Sequence, residues 1–211
     1  FIPDLPGELN VSGRLSHGVR LPDNVRYTGI LSRFNYTEES KQQNRIKFQH
    51  NTLILSGPEP QREMLKQKLA TLLKEQEPLT VILEGRPDKP KEIVKSGNIL
   101  YYNHLAASEM KDMITESESI ISRSGYTTIM DLISLNRAAL LIPTPGQTEQ
   151  EYLAGYLAEK GWFCTISQGE IKAGFSLPST EASWPVEIIE QSKILLSEAL
   201  KELLEKHHKN S

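Results

Sequence analysis

Regular alternation of short apolar runs with helix-spaced segments is the feature that most limits what this chain can fold into. Residues 52–55, 79–83, 99–102, 120–122, 140–142 and 163–166 have strand length and are dominated by Leu, Ile, Val, Tyr and Phe. Between them, residues 61–74, 108–117, 128–135 and 149–160 repeat apolar residues at helical spacing. Strand and helix in regular succession argue for an α/β fold, a Rossmann-like parallel sheet with helices on both faces. Such a sheet gathers its ligand at the carboxyl ends of its strands, where strand order reverses.

The flanks divide the chain further. Residues 1–24 are rich in Pro, Gly and polar residues and lack helical periodicity, so they read as a tail, the end of a preceding domain and its linker. Residues 25–184 carry the alternating pattern and form the expected binding domain. Residues 185–211 open on Pro185 and repeat Val186, Ile189, Leu196, Leu200 and Leu203, which predicts an amphipathic helix over 185–206. That helix either packs on its own domain or crosses to a partner domain. His207-His208 is expected as a solvated helix end rather than a metal site. The chain opens on Phe1 rather than Met, which implies further sequence upstream.

Composition excludes several classes. A net charge of −3 lacks the basic excess that neutralising a nucleic-acid backbone requires. The longest apolar run, residues 138–142, is too short to span a bilayer. The single cysteine, Cys164, lies between Phe163 and Thr165 and is expected as a buried strand thiol in a reducing, cytoplasmic compartment. The sequons Asn10-Val11-Ser12 and Asn35-Tyr36-Thr37 lack a secretory signal and are expected to be unmodified. No cluster of His, Cys and carboxylates has metal-ligand spacing, and no cofactor is expected. His104 reads as a loop residue.

Three strand ends carry candidate chemistry. After residues 120–122 come Arg123-Ser124-Gly125-Tyr126-Thr127-Thr128, where a tight turn delivers a helix N-terminus to the end of a strand. Unpaired amides and the helix dipole make that end a seat for a diphosphate. Ser124, Thr127 and Thr128 can cap or donate, and Gly125 lets the ligand approach the backbone. Asp131, one turn into the helix, either accepts ribose hydroxyls or complements the dipole. After residues 140–142, the loop Pro143 to Gln150 is rigid and polar, and its amides and carboxylate suit a polyhydroxylated ligand. Ser56-Gly57-Pro58-Glu59, after residues 52–55, is correctly placed for phosphate or sugar but has neither a P-loop nor a dinucleotide fingerprint.

Over about residues 27–171 the sequence resembles the C-terminal domain of family 28 glycosyltransferases, GT-B enzymes that include a bacterial N-acetylglucosaminyltransferase of peptidoglycan-precursor synthesis. The resemblance rests on Ile121-Ser122-Arg123-Ser124-Gly125 with Thr128 and Asp131, on Leu141-Ile142-Pro143 and Gln150, and on Leu157 and Gly161. It implies the C-terminal half of a GT-B fold, with Ser56, Gly57, Ser124, Gly125, Thr127 and Thr128 toward the donor diphosphate. It further implies Asp131 at the ribose, Tyr102-Asn103 where the backbone reads the base, and Glu149 and Gln150 at the donor sugar. Three features depart from the family pattern: one glycine in residues 56–59, Asp131 where Glu is usual, and Glu151 with Ala154 where a second Gln and an Asn are common.

The resemblance implies a transferase half that binds a UDP-sugar as donor substrate and, with a missing N-terminal acceptor domain, passes the sugar to a hydroxyl. The catalytic base is then expected in the missing domain, the chain alone should be inactive, and any peripheral contact with the inner face of a membrane runs through that domain. Two alternatives stay open: half of a nucleotide-sugar epimerase, which would carry acidic residues where Tyr126-Thr127-Thr128 stand, and a non-catalytic nucleotide-binding module.

Overall fold

A computed structural model describes residues 1–18, 20–34, 49–86 and 90–209. The sequon at Asn35 and the side chains of His207-His208 lie outside the described residues. The strands are β1 (His50–Ile54), β2 (Leu79–Leu83), β3 (Ile93–Ser96), β4 (Ile99–Tyr102), β5 (Ser119–Ser122), β6 (Leu140–Leu141) and β7 (Cys164–Thr165). The helices are α1 (Gln61–Leu73), α2 (Ala107–Glu116), α3 (Tyr126–Ser134), α4 (Thr148–Glu159) and α5 (Glu187–Lys209). All seven strands form one sheet in the order β3-β4-β2-β1-β5-β6-β7, parallel except for the β3–β4 pair. The α/β architecture predicted by the alternation is therefore present. Strand β3 was not foreseen, because all four of its residues are exposed and leave no burial alternation to read.

Side chains alternate between two apolar layers, as the period of a strand requires. Leu53 and Leu55, Ile82, Ile121, Leu140 and Ile142 face α1, which contributes Leu65, Leu69 and Leu73. Ile54, Val81, Leu83, Ile120 and Leu141 face the other layer, which holds Ile114 of α2, Ile129 and Leu132 of α3, and Leu153 and Leu157 of α4.

The flanks differ from expectation. Residues 1–18 are no loose tail: Leu5 and Val11 are fully buried in the second layer. Helical periodicity is absent because the segment's regular structure is limited to two short 3-10 turns, Gly7–Leu9 and Gly13–Leu15, organised around a buried carboxylate. Asp4, itself buried, accepts hydrogen bonds from the amides of Leu5, Val11 and Ser12 and from the Ser12 hydroxyl. His17 Nε2 lies 3.0 Å from the same carboxylate, and its ring stacks on Tyr27. Ile2 forms a parallel bridge to Tyr27, which ties the segment to residue 27 as well.

Helix α5 packs on this domain, but only partly through the predicted stripe: Ile189 packs against the second layer and Leu196 is half-buried. Val186, Leu200 and Leu203 are exposed, and the inward positions are Ile188, Ser192, Leu195 and Ala199. The small side chains explain the shift. Gly29, at φ +71°, would place a Cβ only 2.3 Å from the Ser192 Cα, so the two backbones meet where neither side has bulk. Ser192 Oγ accepts from Ile30 N (2.9 Å) and donates to Ile188 O (2.6 Å).

Cys164 is a further correction, since it is exposed. Strand β7 is the sheet's last strand and both of its residues face outward, while the adjacent Trp162 and Phe163 take the buried positions and Phe163 stacks on Trp184.

Candidate functional site

From β1 the chain progresses to β2 and β4 on one side, and from β5 to β6 and β7 on the other. The switch in strand order therefore lies between β1 and β5, and the crevice at their carboxyl ends is where an open α/β sheet receives a ligand. Ser56-Gly57 follows β1 and leads into α1; Arg123-Ser124-Gly125 follows β5 and leads into α3. Two helix N-termini thus converge on the same end of the sheet.

At α3, Gly125 is the N-cap residue, and the first intrahelical bond runs from Ile129 N to Gly125 O. The amides of Tyr126, Thr127 and Thr128 precede that bond and belong to the helix's unpaired end. Space beside Gly125 is open, with nothing within 4 Å of an added Cβ. Thr127 is exposed at this end, whereas Thr128 is buried. Ser124 is fully buried, and its hydroxyl donates to Gln150 O at 2.8 Å, which ties the turn to α4.

The loop from Pro143 to Gln147 closes one side. Gln150 Oε1 accepts from Thr144 N (3.0 Å) and its Nε2 donates to Gln147 Oε1 (2.6 Å), while Glu149 is exposed in the first turn of α4. Gly57, at φ +94°, comes near the same loop, its would-be Cβ 3.9 Å from Thr144 Oγ1. The fold therefore brings Gly57, Thr144 and Ser124, from three loops separated in sequence, together with Gln150 of the first turn of α4.

Two predicted positions have further engagements. Asp131 is 5% exposed and accepts hydrogen bonds from Ser32 Oγ (2.7 Å) and Arg33 Nε (2.9 Å). Neither Ser32 nor Arg33 was singled out from sequence. Tyr102-Asn103 stand at the end of β4, three strands from β5 and so about 14 Å along the sheet at ordinary strand spacing. Their carbonyls accept from Glu84 N (2.8 Å) and Arg86 N (2.7 Å), and the buried Asn103 side chain binds Glu92 N, His104 N and Pro90 O. His104 lies in the loop that follows, as expected.

Arg123 is the most unusual side chain at the site. It is fully buried, and its guanidinium donates to Ile142 O (3.2 Å), Pro143 O (3.0 Å), Gln61 O (2.9 Å) and Gln168 Oε1 (2.7 Å). Burial lowers its pKa to about 10, which still leaves it charged at neutral pH. Among the described residues, no group of three or more His, Cys, Asp or Glu is placed to hold a metal ion, and no helix is long and apolar enough to cross a membrane.

A mostly parallel sheet with a crevice at its switch point, rimmed by two helix N-termini, defines a Rossmann-like α/β domain. Residues 37–180 match the glycosyltransferase family 28 C-terminal domain, and the chain belongs to that family. The chain is 26% identical over 166 residues to an uncharacterized glycosyltransferase of Methanosarcina mazei, covering 77% of this chain and 42% of the relative. It is 31% identical over 117 residues to the UDP-N-acetylglucosamine--N-acetylmuramyl-(pentapeptide) pyrophosphoryl-undecaprenol N-acetylglucosamine transferase of Prochlorococcus marinus, covering 54% of this chain and 32% of the relative. The crystal structure of Acinetobacter baumannii MurG aligns with a TM-score of 0.46 at 20% identity, covering 76% of this chain and 46% of that one. The chain thus spans less than half the length of these relatives.

Proposed function

We propose that this chain binds a UDP-sugar at the carboxyl ends of β1 and β5 and, joined to an acceptor-binding domain, transfers the sugar to an acceptor hydroxyl in the cytoplasm. The observation that carries this reading is the convergence of the α1 and α3 N-termini on the switch point of the sheet. Ser56, Gly57, Gly125, Thr127 and Thr128 surround the diphosphate, where backbone amides and the helix dipoles offset its charge. Ser124 contributes by holding α4 against that turn through its bond to Gln150.

Asp131 holds the ribose together with Arg33, whose half-exposed guanidinium pairs with it at 2.9 Å. The base lies at the end of β4, beside Tyr102 and Asn103, with the following loop supplying backbone groups not already engaged in the sheet. Glu149 and Gln150 face the sugar. In transfer, the bond from the sugar's anomeric carbon to the diphosphate breaks as the acceptor oxygen bonds to that carbon. The acceptor's proton passes to a base on the acceptor side, and charge grows on the departing diphosphate, which the amides and dipoles of this domain stabilise.

Calorimetric titration of the chain with UDP, GDP, TDP and several UDP-sugars tests the reading. UDP should bind more tightly than GDP, and the chain alone should transfer little or no sugar. Failure of every nucleoside diphosphate to bind would overturn the proposal.

A further inference from the structure

Among the described residues, Arg123 has no counter-charge: its four hydrogen bonds there end on neutral oxygens, three of them backbone carbonyls, and its buried Nε has no partner among them. The nearest charged neighbour through this network is another cation: Lys68 Nζ donates to Gln168 O at 2.6 Å, on the residue whose side chain accepts from Arg123. The other surroundings add to the positive potential. Gln61 is the first residue of α1, and Gly125, two residues beyond Arg123, caps α3, so both helix dipoles point their positive ends this way. A buried cation without a carboxylate is costly, and folds tolerate one where an anion completes the arrangement.

We infer that Arg123 is a positioning residue for the donor's diphosphate: its guanidinium fixes the loops that end β1, β5 and β6 and supplies the buried positive charge that a bound diphosphate offsets. The inference rests on the donor-binding reading above. The guanidinium does not itself touch the ligand, since the side chain is fully buried. It acts through the backbones that it ties. The bonds to Ile142 and Pro143 set the start of the loop that carries Thr144, and the bond to Gln61 sets the start of α1 behind Gly57. Arginine suits this task because its planar fork can hold several carbonyls at once, which lysine cannot.

The test compares a ligand that carries the diphosphate with one that lacks it. UDP and uridine are titrated into the wild-type chain, Arg123→Met and Arg123→Lys, with circular dichroism to establish folding. A purely structural role weakens both ligands together. The expected result is a loss of UDP affinity of about tenfold or more in Arg123→Met with uridine binding unchanged, and a smaller UDP loss in Arg123→Lys, on the scale of one charge-assisted interaction. Equal UDP affinity in folded Arg123→Met and wild type, or parallel losses for both ligands, overturns the inference and leaves the donor-binding reading standing. Wild-type protein that ignores UDP sinks the donor-binding reading first. A measurement on wild type, independent of how the variants fold, runs beside it. The Arg123 Nε–H resonance, shielded from water, should shift on saturation with UDP and stay in place with uridine; an unmoved resonance at saturating UDP overturns the inference.

Discussion

Asp131 shows how one residue changes meaning between sequence and structure. Read in sequence it is an acid one turn into a helix; in the fold it is a buried acceptor that holds Ser32 and Arg33 to α3. Asp131→Ala should therefore lower stability by about 1–3 kcal/mol, because it strands a buried hydroxyl and loses a charge-assisted bond. Urea unfolding followed by circular dichroism measures this, and an unchanged midpoint would show that the Ser32 and Arg33 contacts contribute nothing. The ribose role has its own signature: wild type should prefer UDP to its 2′-deoxy counterpart, and folded Asp131→Asn should narrow that preference. Gln150 makes a second residue-scale case. Its side chain braces Thr144 and Gln147, so Gln150→Ala should weaken a UDP-sugar more than UDP, as calorimetry would register; equal losses would return Gln150 to a bracing role alone. The positions of these residues at the strand ends were legible in the sequence, because the strand-to-helix turns fix them. Their partners were not, since Ser32 and Arg33 reach Asp131 across almost a hundred residues and no local pattern encodes such a contact.

Helix α5 and the turn at Gly29 form the interface that local periodicity misread. Counting apolar residues favoured Val186, Ile189, Leu196, Leu200 and Leu203; Ile189 does pack, but the face that meets the domain runs through Ile188, Ser192, Leu195 and Ala199, and the closest approach falls at the small Ser192. Long-range approach between backbones is set by the absence of side chains, which periodicity cannot register. In contrast, β2 and β4 begin and end where their apolar runs do, because both are interior strands of the sheet. Strand β3 escaped notice for the opposite reason, as an exposed edge strand. Gly29→Ala should cost about 2–4 kcal/mol, since it combines a left-handed residue with a backbone clash. Differential scanning calorimetry should record the lowered melting temperature, and limited proteolysis should release α5 sooner; wild-type behaviour in both would mean that the helix can back away freely.

At the scale of the whole molecule, the opening segment is clasped to the helical layer by Tyr126, Tyr152, Tyr156 and Lys160, and the Tyr126 hydroxyl is the most deeply buried of these clasps. Tyr126 donates to Pro3 O at 2.6 Å, and burial, with the nearby Asp4 carboxylate second, raises its pKa above the ordinary value. A raised folded pKa means that the contribution is complete below the unfolded value of about 10 and is lost as pH climbs beyond it. Tyr27, Tyr101 and Tyr156 are shifted in the same direction, so the chain as a whole should soften in alkali. Melting temperature followed from pH 8 to 11 should fall in wild type, and the fall should be shallower in Tyr126→Phe; identical slopes would remove Tyr126 from the account. The stretch from Gly29 to Arg33 links two helices. One end is bonded to α5 through Ile30 and the other to α3 through Ser32 and Arg33, so the strip is a gauge whose needle sits far from the ligand. Occupancy at the α3 end should slow deuterium uptake at the Ile30 amide and over Ile188 to Ser192, which makes hydrogen exchange in a helix outside the crevice a readout of what the crevice holds.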